Sequence, residues 1–183
     1  LGLEVIWMSK KGSIKNMSKT ASPFATGGGG VTFETRVQAA FIATMLVNGR
    51  YPCLPYGRVD SIRLQAHQAG YETDDLLLTL IVPSNQQYKL LAQIKHTIAI
   101  SESDSEFEKT IKSFWADFTN EDLFNPENDI FVLITRPLSA SYTNHMIPVL
   151  DWAKHSRDAN EFLNKLNTSV FSSDLKRKYF GII

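Results

Sequence analysis

Gln93 and Lys95 stand two residues apart between apolar neighbours, in the stretch Tyr88–Ile100. Side chains alternate along a strand, so Leu91, Gln93 and Lys95 share one face, and Leu90, Ala92, Ile94 and His96 share the other. An ammonium on a largely apolar strand calls for a partner. A carboxylate stands close in sequence: Thr73-Asp74-Asp75 leads directly into the apolar run Leu76–Val82. Glu34 joins them if the helix that carries it packs across the sheet. Together these groups suit phosphodiester hydrolysis. Asp75, the Gln93 side-chain oxygen, the Ile94 carbonyl and Glu34 are hard oxygen donors of the kind that hold Mg2+, with Mn2+ as the alternative ion. Such an ion lowers the pKa of a bound water and stabilises charge on the phosphate. A lysine beside it orients the water and helps to neutralise the developing charge. Asp74 is a rival to Asp75 as ligand, and Gln38, one turn after Glu34, is a secondary candidate.

The elements that must position these residues follow from periodicity. Thr32 is the candidate N-cap of a helix over Phe33–Val47, with Val37, Ala40, Phe41, Thr44 and Met45 on its core face and Asn48-Gly49 at its end. Ser61–Ala66 alternates as a strand. Leu76–Val82 and Tyr88–Ile100, joined by the polar loop Ser84–Gln87, predict a hairpin buried on both faces in its middle. Glu102–Phe118 predicts an amphipathic helix with Phe107, Ile111, Phe114, Trp115 and Phe118 as core residues. Asp129–Thr135 predicts a buried strand, stopped by Arg136-Pro137. Helices are expected over His145–Lys154, with Pro148 in the first turn, over Asn160–Leu166 and over Ser172–Tyr179.

The order is helix, three strands, helix, strand, then helices. With the Asp-apolar-run and Gln-x-Lys motifs, it resembles the PD-(D/E)XK nuclease superfamily. Gln-Ile-Lys in place of (Asp/Glu)-x-Lys is similar to the Mrr-like variant. The strings Glu72-Thr73-Asp74-Asp75-Leu76-Leu77 and Ala92-Gln93-Ile94-Lys95-His96-Thr97 resemble N-terminal nuclease effectors of bacterial antiphage proteins. The resemblance spans about residues 26–137. It implies an α/β, restriction-endonuclease-like core with a C-terminal helical extension over 138–183, leading into a further sensor region. It also implies a Mg2+-dependent endonuclease acting on double-stranded DNA with low sequence specificity, and homo-oligomerisation on activation. Lys95, Gln93, Asp75 and Glu34 are the catalytic set it points to. Gln93 removes one charge from the family's metal site, so metal binding would lean on substrate phosphate.

Composition limits the rivals. The 183 residues are 43% hydrophobic and 21% charged, as a packed domain requires. No run approaches the roughly 20 apolar residues of a membrane span, and no membrane partner is expected. Cys53 is the single cysteine, which excludes an internal disulfide and a cysteine-rich zinc site and points to a reducing, cytoplasmic setting. Net charge is zero, with four lysines against one glutamate in residues 1–20, so those carry +3 and the rest −3. That balance is not a general nucleic-acid footprint, so DNA contact must come from a local patch or from metal ions. Residues 1–25 are expected to be disordered or not native to the protein. Gly27–Gly30 reads as a flexible linker, since no strand precedes it and no Gly-Lys-Ser/Thr follows. The four histidines form no metal-ligand pattern, and His96 is given a packing or hydrogen-bonding role. Two other functions stay open: a nuclease-fold module that binds nucleic acid or a protein without cutting, and an ordinary α/β domain in which Lys95 and Asp75 form a structural ion pair.

Overall fold

The computed structural model describes residues 3–7, 28–101, 103–138 and 140–168. They form an α/β fold around one mixed sheet. Its strands are β1 (Leu3–Trp7), β2 (Arg58–Leu64), β3 (Leu76–Ile81), β4 (Gln87–Lys95) and β5 (Ile130–Thr135), in the spatial order β1-β5-β4-β3-β2. The hairpin β3–β4 is antiparallel, with Leu77 opposite Leu91, and β2 adds antiparallel to β3. β4 and β5 run parallel, Lys95 alongside Thr135, and β1 pairs parallel with β5 on the other side. Helices are α1 (Gly28–Leu46), α2 (Ser105–Phe118), α3 (Ala140–Lys154) and α4 (Ala159–Thr168). Among the described residues, no helix is long and apolar enough to cross a membrane.

Two cores form because the central strands are apolar on both faces. Even-numbered residues Leu76, Leu78, Leu80, Leu90, Ala92, Ile94, Val132 and Ile134 join Val37 of α1. Odd-numbered Leu77, Leu91, Phe131 and Leu133 join Phe107 and Phe114 of α2. Each fully buried leucine contributes roughly 1.5–3 kcal/mol through removal of apolar surface from water. On the α2 side, Phe131 stacks between Phe114 (4.9 Å) and Phe124 (4.3 Å). The sheet is therefore the middle of three layers, as near-continuous apolar strands require.

Several expectations are corrected. Leu3–Trp7, within the segment set apart above, forms strand β1 and pairs with β5. The rest of residues 1–25, and the helix expected over Ser172–Tyr179, lie outside the described residues. α1 begins at Gly28, so the glycines form its first turn rather than a linker, and Thr32 lies inside the helix instead of capping it. Glycine disfavours helix; the cost is offset by burial further along, at Val37, and Gly29 is itself buried. β2 begins three residues earlier than its alternation indicated, with a register shift between Val59 and Ser61. β4 stops at Lys95; Ile98 and Ile100 are buried without being strand. α2 begins at Ser105 rather than Glu102, capped by Asp104, which accepts the Glu106 and Phe107 N–H groups. Pro148 sits in the interior of α3, nine residues into a helix that starts at Ala140 rather than His145. Trp115 is 63% exposed and not a core residue.

Candidate active site

The register of the hairpin brings the site together. Leu76 lies opposite Ala92, so Asp75, one residue before β3, comes opposite Gln93. Asp75 Oδ2 accepts the Gln93 Nε2–H at 2.6 Å and the Ile94 N–H at 2.6 Å. Lys95 Nζ lies 4.0 Å from the same oxygen. Asp75 Oδ1 takes no part in these bonds. With the Gln93 amide nitrogen engaged, its carbonyl oxygen is the group left for another ligand. The Ile94 N–H points to the Asp75 side, and in an extended strand the carbonyl of the same residue points to the same side.

α1 approaches from the opposite face and reaches round the end of the sheet. Gln38 holds the connection: its Nε2 donates to Glu34 Oε1 at 2.9 Å and to the Asp75 carbonyl at 3.0 Å. Glu34 is close enough to Asp75 to act on its charge. Burial is the main reason the Asp75 carboxyl is raised above its ordinary range. The Ile94 N–H and Lys95 oppose that shift, and Glu34 and Asp74 reinforce it. The Asp74 backbone carbonyl accepts the Ala66 N–H at 2.7 Å; it is the Asp75 carboxylate that meets Gln93 and Ile94.

Two residues of α2 complete the site, and both escaped sequence reasoning. Glu106 Oε2 lies 3.9 Å from Lys95 Nζ, and Lys109 bonds its other oxygen at 2.9 Å. The hydrogen bond and charge of Lys109 hold the Glu106 carboxyl below its usual range. Asp117 is buried at the far end of α2. Its two oxygens accept the Glu72 and Thr73 N–H groups, each at 2.8 Å, and so fix the segment that delivers Asp75. A signal existed for both: Phe107, Thr110, Phe114 and Asp117 recur at spacings of three and four on the buried face, and Glu106 is one turn before Thr110.

Every residue of the expected set is thus brought to one end of the sheet, between the N-terminal parts of α1 and α2. Among the described residues, no three His, Cys, Asp or Glu side chains are grouped to hold a metal. A cation would have to use the mixed donor set of Asp75, Glu34, the Gln93 side-chain oxygen and the Ile94 carbonyl. All four are oxygens suited to Mg2+. His96 has a separate role. Its ring edge meets Phe33 at 5.6 Å, and its nitrogens contact Thr97 and Arg136. Comparison with protein-family models, curated proteins and solved structures finds no match.

Proposed function

We propose that this domain is a metal-dependent nuclease of PD-(D/E)XK type that hydrolyses phosphodiester bonds of double-stranded DNA. The observation that carries the reading is the state of Lys95. Its ammonium lies between Asp75 and Glu106 at 4.0 and 3.9 Å, beyond hydrogen-bond distance of either. A structural lysine would close on one carboxylate. One held between two is placed to donate to an incoming anion.

The residues divide the work. Gln93 and the Ile94 N–H orient Asp75, and Gln38 fixes Glu34 against the start of β3. Asp75, Glu34, Gln93 and the Ile94 carbonyl would hold Mg2+ or Mn2+. When bound, that ion supplies water activation and charge stabilisation at the phosphate. Lys95 donates toward the phosphate oxygens and steadies the attacking water. With only two carboxylates in the donor set, substrate phosphate is expected to strengthen metal binding. By the same resemblance, the domain would serve as the cutting module of an antiphage protein, acting in the cytoplasm with little sequence preference and activated by homo-oligomerisation.

The test is incubation of the protein with plasmid DNA and Mg2+ or Mn2+, beside EDTA and Lys95→Ala. Metal-dependent cutting that the substitution abolishes is expected. Equal cutting by both proteins would remove Lys95 from the mechanism. Duplex binding without cutting in any metal would favour a non-catalytic nucleic-acid module.

A further inference from the structure

We infer that Arg136, steadied by His96, is a binding residue for a backbone phosphate next to the one that is cut. This inference rests on the nuclease reading and adds a contact to it.

The position comes from the parallel register. Lys95 lies alongside Thr135, the last residue of β5, and Arg136 follows it directly. A strand spacing of ~4.8 Å and a rise of ~3.3 Å put its backbone ~6 Å from that of Lys95. Pro137 follows, which disfavours a helical backbone at Arg136. The Arg136 side chain is thereby rooted at the same end of the sheet as Asp75 and Lys95.

The charge is uncommitted. Lys109, Lys112, Arg157 and Lys165 each hold a carboxylate at 2.6–3.0 Å. Arg136 is exposed and makes no ion pair among the described residues. Its one described partner is His96 Nε2, 3.4 Å from Nη1. A guanidinium cannot accept a hydrogen bond, so Nε2 is the acceptor in this contact. The other ring nitrogen, Nδ1, faces Thr97 Oγ1 at 3.0 Å, and the ring edge packs on Phe33 of α1. The imidazole orients the guanidinium and leaves its charge intact. Arg136, held on the α1 side by His96, and Lys95, on the α2 side, flank the same end of the sheet, so a chain of successive anions crossing that end would meet both. A nucleic-acid backbone supplies such a chain, and Arg binds phosphate through two parallel N–H groups.

The test is binding of a short labelled DNA duplex in EDTA, over a series of salt concentrations, for wild type, Arg136→Gln, Arg136→Lys and Arg157→Gln. Each phosphate contact contributes about 0.9 to the slope of log K against log salt. Arg136→Gln should reduce the slope by about that amount and weaken binding roughly five- to tenfold. Arg136→Lys should retain the slope, since it keeps the charge. Arg157→Gln, in the turn just before α4, should match wild type. If Arg136→Gln also keeps the wild-type slope, the phosphate contact is refuted and the nuclease reading stands. A wild type that binds no duplex at any salt concentration removes both.

Discussion

Strand β4 carries two lysines on one face, six residues apart, and each faces an aspartate. Their surroundings differ in how far each ammonium is closed on its carboxylate. Lys89 Nζ meets Asp129 Oδ2 at 3.0 Å, the aspartate almost fully buried, and also contacts the Leu123 carbonyl and the Tyr71 ring. The Asp129 oxygens further accept the Lys89 and Asn125 N–H groups, each at 2.9 Å. Nothing there is left for a ligand. At the other end, Lys95 stands 4.0 Å from Asp75 and 3.9 Å from Glu106, beyond hydrogen-bond distance of both, while Asp75 spends one oxygen and keeps the other. The same residue types on one strand face thus give a closed pair and an open one. The protein shows how it builds a structural pair, and Lys95 is not built that way.

The largest expected effect tests the closed end. Asp129→Ala leaves a buried ammonium and two backbone donors without their carboxylate, and should cost about 3–5 kcal/mol in urea unfolding. A loss below about 1 kcal/mol would make the two ends alike. Lys95→Ala should give the mirror result. Cleavage should fall about 10²–10³-fold, with stability changed by less than about 1 kcal/mol; an unfolding midpoint that drops as far as that of Asp129→Ala would instead make Lys95 structural. Asp117→Ala lies between the two. Loss of two charge-assisted hydrogen bonds should cost about 2–3 kcal/mol, and the half-saturating Mg2+ concentration for cleavage should rise because Asp75 is less well placed.

The smallest effect has the opposite sign. Burial raises the Asp75 carboxyl in the folded state, so between the unfolded and folded values the native protein binds more protons than the unfolded chain. Stability attributable to this group therefore falls as pH rises through that window and is recovered below pH ~4, where both states are protonated. In EDTA, Asp75→Asn should be slightly more stable than wild type at neutral pH, by less than about 1 kcal/mol, and inactive. The gain should vanish in acid. A difference that is constant with pH would separate it from ionisation of Asp75.

The open end was the more legible in the sequence. Period-two alternation is strict in a paired strand, so the shared face of Gln93 and Lys95, and the approach of Asp75, followed from spacing alone. Glu34 depended on a helix crossing the sheet, and it is Gln38, bonded to the Asp75 carbonyl, that ties that helix in place. The closed end was missed because its partners are about 40 residues apart, and neither position breaks a local pattern. Glu106 drew no attention, because an acid in the first turn of a helix is ordinary there. Trp115 was misjudged because a broad apolar stripe does not reveal where its edge lies. The start of α1 was misplaced because glycine propensity is a weak prior that packing overrides. Leu3–Trp7 was set aside because its partner strand lies at the other end of the domain in sequence, and no short-range signal can report such a pairing.

That last pairing bears on the order of assembly. Leu3 cannot find its place until Phe131 has been added to β4, so a strand near the beginning of the chain closes a ladder that almost the whole domain separates from it. Parallel contacts between such distant segments are slow to form, because the intervening chain must be ordered first. The hairpin β3–β4 is local and can form early, carrying Asp75, Gln93 and Lys95 into register before β1 docks. The half of the sheet that carries the candidate site is thus expected to be the first to fold, and the β1 edge the last.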